Sequence, residues 1–265
     1  MQLKNTPFKD IPKYCISLER CQDRRELVAE EFKKVGLHDV KFFNGIDGHK
    51  IKLPELSSKL KGMHAEGILG CMFSHLALLK EVRSRGEEVI CVFEDDIIVF
   101  DDFQERIKYI EDSGAEFDYL ALGGHFTSQK IGTLVGVGED TEHPYIFKVR
   151  EKGGTYGYII TAPVMDFIIR NITYHFGMDH FMGEVVYGTF MCLAFIPFLV
   201  GCRPCVSQIS NTFWKYDAID YYYQQSAIDF KAEYKHITEI IITEEENRKR
   251  IGDAARAALL AQERN

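Results

Sequence analysis

The sequence lacks any hydrophobic run long enough to cross a membrane. A membrane-spanning helix needs about 20 consecutive apolar residues, and a stretch such as residues 193–200 suffices only for a buried strand. Residues 1–7 show no apolar segment typical of a secretory signal. We therefore expect a cytoplasmic protein with at most a peripheral association at the inner membrane face.

The sequence also lacks an excess of positive charge. Its 32 lysines and arginines are outnumbered by 40 aspartates and glutamates, so the net charge is −8. A nucleic-acid-binding protein usually carries a basic surface that releases counterions from phosphates. The composition therefore argues against nucleic acid as a partner, and no basic amphipathic helix is apparent that would bind a membrane strongly.

Cysteine is present without the spacing of a disulfide framework. The seven cysteines are odd in number, and most lie in apolar stretches, as Cys91 does. We interpret them as free thiols in a reducing compartment. Cys202 and Cys205 form a single Cys-x-x-Cys pair. Because a structural zinc site needs four ligands, we interpret this pair as two incidental thiols.

The apolar residues alternate between strand and helix patterns. The run over residues 89–93 predicts a strand buried on both faces, and a stripe at helical spacing predicts a helix over residues 68–82 that stops at Gly86. Asp23 with Glu26, and Asp102 with Glu105, form capping patterns at two more helices. Further strands are predicted at residues 13–18, 40–43, 118–122 and 158–161. Strands separated by helices predict an α/β fold with a mostly parallel sheet.

Three consecutive carboxylates, Glu94, Asp95 and Asp96, directly follow the predicted buried strand. In an extended segment, Glu94 and Asp96 would project to one side and Asp95 to the other. The carboxyl edge of a parallel sheet is where α/β proteins bind ligands. Carboxylate oxygens there suit Mn²⁺ or Mg²⁺, which commonly bridges to phosphates. The alternative is a charged turn or a helix cap.

Four blocks of the sequence together resemble glycosyltransferase family 25, lipopolysaccharide-type sugar transferases related to the collagen galactosyltransferases. The blocks cover residues 16–25, 44–48, 66–75 and 92–97, and weaker matches follow at residues 153–158, 178–180 and 204–208. The resemblance implies a GT-A-like fold with a Rossmann-type sheet flanked by helices. It also implies an inverting, metal-dependent transfer of galactose or glucose from a UDP-sugar to a glycan or glycolipid, such as lipooligosaccharide.

The blocks supply the candidate residues for the donor and the metal. Glu94 and Asp96 are predicted to hold Mn²⁺ or Mg²⁺. The predicted donor-binding residues are Ser17, Arg20, Arg24, Asp47, Ser74, His75, Glu94 and Asp95. Some of these positions have a simpler interpretation: Asp47 as an ordinary turn residue, and His75 as a hydrogen-bonded core histidine, since it falls within the apolar stripe. The neighbouring Arg25 could equally be a surface charge on the following helix.

Asp179 is the candidate general base, because inversion in one displacement needs a carboxylate to take the acceptor proton. Glu184 is its competitor, and a simple loop aspartate is the alternative. We expect one glycosyltransferase domain over residues 1–214 and a mostly helical extension over residues 215–265. The rival functions are a non-catalytic sugar- or partner-binding protein on the same fold and a metal-dependent phosphoesterase.

Overall fold

The structure is a computed structural model that describes residues 1–3, 5–50, 64–125, 134–136, 145–149, 152–173, 177–209 and 213–214. The predicted extension over residues 215–265 lies outside them. Within the described ranges, no helix has both the length and the apolar character that crossing a bilayer requires. All seven cysteines are free thiols.

The helices and strands alternate through most of the chain. The strands are β1 (Lys13–Leu18), β2 (Lys41–Gly45), β3 (Val89–Glu94), β4 (Ile97–Val99), β5 (Tyr119–His125), β6 (Leu134–Gly136), β7 (Ile146–Val149), β8 (Gly153–Thr161), β9 (Cys192–Phe195), β10 (Val200–Cys202), β11 (Cys205–Val206) and β12 (Phe213–Trp214). The α-helices are α1 (Gln22–Lys34), α2 (Ala65–Ser84), α3 (Phe103–Ser113), α4 (Ala162–Asn171), α5 (Met178–Phe181) and α6 (Tyr187–Thr189). The π-helical turn Met182–Val186 joins α5 to α6.

The central sheet has the strand order β2-β1-β3-β8-β5-β9-β7-β6. On this path β7 and β8 run against the other strands, which are mutually parallel. The predicted α/β class with a mostly parallel sheet is therefore confirmed. The antiparallel direction of β8 was not predicted, because nearly every residue of β8 is buried, as in a central parallel strand.

Helices cover both faces of the sheet. Along β3, Ile90 and Val92 join one core with the apolar side chains of α2 and α4, whereas Cys91 and Phe93 join the other with those of α1 and α3. This division follows from the alternation of side chains along a strand. It leaves the carboxyl ends of β1, β2, β3 and β5, together with the start of β8, along one open edge.

The predicted helix ends are partly confirmed. Gly36 and Gly86 have φ angles of 75° and 79°, the left-handed conformation that glycine adopts readily after a helix. The cap predicted at Asp23 is wrong, because α1 already begins at Gln22 and its N-cap residue is Cys21. Asp102 is the N-cap residue of α3, as predicted, but its side chain makes no capping hydrogen bond. The carboxylate of Asp102 instead accepts a hydrogen bond from Arg106, one helical turn later.

Close backbone contacts hold the loop after β2 against α2. A Cβ atom at Gly48 would lie 1.8 Å from the carbonyl oxygen of Glu66, and one at Gly70 would lie 2.7 Å from the backbone nitrogen of Gly48. Side chains at either position would separate the loop from the helix. The loop carries Asp47, so this packing sets the position of that carboxylate.

Replacing Gly48 with Ala is expected to lower the free energy of unfolding by at least about 1–3 kcal/mol, because the added methyl group meets backbone atoms that cannot rotate away. Urea unfolding measures this change. Gly183→Ala is the control, since no atom lies within 4 Å of its Cβ position. Equal stability of the two variants would contradict the tight packing of the loop.

Candidate functional site

An open pocket lies at the carboxyl edge of the sheet. Its walls come from the end of β1, the loop after β2, the first half of α2, the turn after β3 and residues 207–209. The structure brings all of the predicted donor and metal residues to this pocket: Ser17, Arg20, Arg24, Asp47, Ser74, His75, Glu94, Asp95 and Asp96.

Arg24 bridges two of the three consecutive carboxylates. Its Nη2 lies 2.7 Å from Oδ1 of Asp95 and 2.6 Å from Oδ2 of Asp96. The prediction that Asp95 and Asp96 point to opposite sides is wrong. Strand β3 ends at Glu94 and the chain turns at the two aspartates, so both side chains converge on one guanidinium group.

Burial of this ion pair changes the pKa of Asp96 and leaves two polar atoms without a hydrogen-bond partner. Desolvation raises the pKa of Asp96 to about 6, and the neighbouring Glu94 and Asp95 add to the effect while Arg24 opposes it. Among the described residues, Oδ1 of Asp96 and Nε of Arg24 are buried without a hydrogen-bond partner. An unsatisfied buried polar atom costs about 1–3 kcal/mol. One acceptor and one donor are thus left for a ligand.

Glu94 turns away from Arg24 toward α2 and β8. Its Oε1 lies 3.2 Å from Nε2 of His75 and accepts a short hydrogen bond from the hydroxyl of Thr155. Burial favours the neutral form of Glu94, but these two hydrogen bonds outweigh burial and lower its pKa. His75 is fully buried and also lies in the pocket wall, so it is both a core histidine and a pocket residue.

Arg20 joins three separate segments across the outer part of the pocket. Its Nε donates to Oδ2 of Asp47 at 3.0 Å, and its Nη1 donates to Oε1 of Gln208 at 2.6 Å. Although burial opposes ionisation of Asp47, bonds from Arg20 and the backbone of His49 keep its pKa below the usual range. A Cβ atom at Gly67 would lie only 2.4 Å from the carbonyl oxygen of Ile209, so residues 207–209 pack directly on α2.

Serine residues and Arg25 support the pocket walls. Ser74 accepts a hydrogen bond from the backbone of Ile46 at 2.7 Å and donates to the carbonyl of Gly70 at 2.6 Å, so it ties the loop to α2. Arg25 donates to the carbonyl of Ser17 at 2.9 Å and to Asn44 at 2.6 Å. Arg25 therefore braces the ends of β1 and β2 and is more than a surface charge.

Asp179 lies in the first turn of α5, next to the start of β8. The backbone N–H groups of Gly154 and His180 donate to its carboxylate at 3.4 and 2.9 Å. Burial opposes ionisation, but these bonds and nearby positive charge lower the pKa of Asp179. Its charge also acts on Glu94. Glu184 is exposed in the π-helical turn and, within the described part of the chain, makes no hydrogen bond or ion pair with pocket residues.

Lys152, which the sequence analysis missed, is a buried cation beside Asp179 and Glu94. It is only 3% exposed, and its Nζ donates to the carbonyl of Gly154. Burial lowers its pKa to about 8, while the charges of Asp179 and Glu94 act in the opposite direction. Lysine is rarely buried, so the only sequence signal was its position directly before the Gly153-Gly154 block.

Replacing Lys152 with Met is expected to remove a pH dependence of stability. Since the folded-state pKa is about 8 against an ordinary 10.5, the unfolded state binds more protons between these values. The stability of the unaltered protein relative to the variant should therefore rise with pH across this window, by about 3 kcal/mol in total. Urea unfolding at several pH values checks this. The control is Lys80→Met, at an exposed position; a pH-independent difference would contradict the burial of the amine.

Comparison with models of protein families shows which family the chain belongs to. The model of glycosyltransferase family 25, described as an LPS biosynthesis protein, matches residues 10–182. The chain belongs to glycosyltransferase family 25. The match includes the ends of β1, β2 and β3, helix α2, the start of β8 and helix α5. These elements carry most of the pocket wall and the neighbouring Lys152 and Asp179, whereas residues 207–209 of the wall lie beyond the match.

Individual relatives are more distant. The chain is 27% identical over 160 residues to an inferred glycosyltransferase of Acanthamoeba polyphaga mimivirus, a match that covers 55% of the chain. The chain spans only about half of that relative, 48% of its length.

Solved structures similar to this family 25 chain have low sequence identity. They include the inositol-1-phosphate CTP transferase from T. maritima, with a TM-score of 0.40, 10% identity and coverage of 84% of this chain and 82% of that one. Another is a glycosyltransferase involved in glycosylation of the major capsid of PBCV-1, with a TM-score of 0.36, 11% identity and coverage of 86% and 100%.

Proposed function

We propose that this family 25 chain is an inverting, metal-dependent glycosyltransferase. It would move galactose or glucose from a UDP-sugar to a hydroxyl of a glycan or glycolipid, such as lipooligosaccharide. The main support for this proposal is the excess of negatively charged side chains in the wall of the pocket. Among the residues that the structure describes, its wall contains four carboxylates, Asp47, Glu94, Asp95 and Asp96, and two guanidinium groups, those of Arg20 and Arg24.

A pocket with this excess of negative charge repels a diphosphate unless a cation accompanies it. The donor set suits a hard divalent ion, because Mn²⁺ and Mg²⁺ prefer carboxylate oxygens. The buried and unpartnered Oδ1 of Asp96 also fits such an ion. Asp96 and Glu94 would hold it, and the bound ion supplies Lewis-acid stabilisation of the departing diphosphate.

The protein's own side chains support the leaving group as well. Arg24 retains a buried Nε–H without a partner among the described residues, which can donate to a phosphate oxygen. Asp95 and Asp96 keep the guanidinium charged and fix its orientation. Arg20 and Asp47 hold each other at the outer wall, where they can contact the nucleoside.

Asp179 would act as the general base. Its lowered pKa keeps it ionised at neutral pH, and two backbone N–H groups fix the carboxylate. In a single displacement, the acceptor oxygen bonds to the anomeric carbon as the bond from that carbon to the UDP oxygen breaks. The acceptor proton passes to Asp179. We expect this reaction in the cytoplasm, at most beside the inner membrane face, with no nucleic acid involved.

The purified chain should be tested first for binding of UDP by thermal shift, with and without Mn²⁺. A ligand that binds the native state raises the melting temperature. Incubation with UDP-galactose or UDP-glucose and oligosaccharide acceptors should then give a glycoside of inverted anomeric configuration, read by NMR. Release of free phosphate without sugar transfer would favour the phosphoesterase, and no nucleotide binding would favour the non-catalytic alternative.

A further inference from the structure

We propose that Cys71, His75 and Glu94 form a second metal site, which binds Zn²⁺ in preference to Mn²⁺ and Mg²⁺. The ligand atoms of these three residues lie within 4.8 Å of one another. We call them the soft-metal triad. The binding itself does not rest on the proposed sugar transfer, because it is read from metal and thiol chemistry alone.

The backbone brings the triad together. Cys71 and His75 are four residues apart on α2, so their side chains lie on the same face one turn apart. Glu94 ends β3 and approaches this face, with Oε1 3.2 Å from Nε2 of His75. All three residues line the pocket. Three protein ligands with access to the pocket match zinc sites that keep a fourth position for water or a small ligand.

Outer hydrogen bonds orient two of the three ligands. Nδ1 of His75 lies 2.8 Å from the hydroxyl of Tyr158, which leaves Nε2 on the side of Glu94. The hydroxyl of Thr155 donates to Glu94. A ligating histidine commonly has such a partner on its other nitrogen. Binding a metal through Nε2 moves the imidazole proton to Nδ1, where the Tyr158 oxygen can accept it as a hydrogen bond.

The residue types favour a soft ion. Thiolate and imidazole ligands suit Zn²⁺, whereas Mn²⁺ and Mg²⁺ prefer oxygen. The competing interpretation is a plain His75–Glu94 hydrogen bond that positions Glu94, in which Cys71 has no ligand role. Because Glu94 would serve both metals, zinc in the triad should withdraw it from the ion at Asp96 and inhibit transfer. That consequence, unlike the binding, rests on the proposed function.

Cobalt titration of the full chain, freed of metal by dialysis against chelator, tests the site directly. Co²⁺ bound to a thiolate shows a sulfur-to-metal charge-transfer band in the near ultraviolet. We expect this band to saturate at one equivalent and to disappear when Zn²⁺ displaces Co²⁺. Absence of the band in the unaltered protein would overturn the proposal.

Matched variants identify the ligands. Cys71→Ser should abolish the band, and Cys205→Ser, the other half-buried thiol, should leave it unchanged. Tyr158→Phe keeps the ring but removes the outer hydroxyl, and should weaken Zn²⁺ binding about 10- to 100-fold. If the band persists in Cys71→Ser, another cysteine must be the thiolate ligand, and the proposed triad is wrong.

A measurement on the unaltered protein covers the case in which a variant fails to fold. Alkylation by iodoacetamide, mapped by mass spectrometry, should modify Cys71 more slowly in the presence of Zn²⁺ than after chelation, because a metal-bound thiolate is protected from the reagent. Mn²⁺ should give no protection. Equal alkylation of Cys71 with and without Zn²⁺ would contradict the proposal, whatever the sugar-transfer assay shows.

Discussion

Replacement of Asp96 with Asn is expected to reduce sugar transfer by roughly 100- to 10,000-fold. A divalent ion supplies several kcal/mol of transition-state charge stabilisation, and each 1.36 kcal/mol corresponds to about a factor of ten in rate. Asn keeps the shape of the side chain but removes the charge next to the unpartnered Oδ1. Arg24 retains Asp95 as its partner, so the fold should survive.

The same variant should lose the Mn²⁺-dependent part of UDP binding in a thermal-shift assay. Asp101→Asn is the control, because Asp101 lies in the next turn but is exposed and outside the pocket wall. Addition of EDTA should inhibit the unaltered protein to a similar extent. Full-rate transfer by Asp96→Asn together with no effect of EDTA would contradict the metal-dependent mechanism.

Replacement of Asp179 with Asn should lower kcat by roughly 100- to 10,000-fold, the usual contribution of a general base. The affinity for UDP should change little, because Asp179 does not line the pocket that contains the predicted donor residues. Asn keeps an oxygen that can accept the hydrogen bond from Gly154. A lower kcat with an unchanged KM for the donor would identify Asp179 as a base, whereas a raised KM for the donor would identify it as a donor-binding residue.

Glu184→Gln is the matched control for this second prediction, since Glu184 was the competing candidate and is exposed. It should retain the activity of the unaltered protein. Loss of transfer in Glu184→Gln together with normal transfer in Asp179→Asn would show that Glu184, and not Asp179, is the general base.

Local patterns predicted the elements that carry the pocket. The helical stripe starting at Ile68 and the apolar run before Glu94 correspond to α2 and β3. Parallel strands end at the same edge of a sheet, so the placement of Arg24 and Asp96 near one another followed from their positions after β1 and β3. The direction of β8 depends on pairing between distant segments, and its buried sequence is compatible with either direction.

The finer geometry of the site could not be predicted, because it depends on where the chain turns and on contacts across long separations. Alternation of side chains fails after Glu94, since the strand stops there and both aspartates meet Arg24. The partnership of Thr155 with Glu94 arises only once the antiparallel β8 pairs with β3. Lys152 was not predicted, because its burial results from the packing around the start of β8 in the folded protein and is not indicated by the residues next to it in the sequence.

The contact of residues 207–209 with α2 and Arg20 has a consequence for synthesis on the ribosome. Arg20 and Gln208 are 188 residues apart in the chain, so the strands that carry the carboxylates emerge long before the segment that completes the pocket wall. A nascent chain can thus fold its amino-terminal strands first, yet the pocket wall stays incomplete until the segment that ends at Ile209 has left the ribosome. Stalled chains in which this segment is still inside the ribosome should differ in protease sensitivity and nucleotide binding from longer ones in which it has emerged.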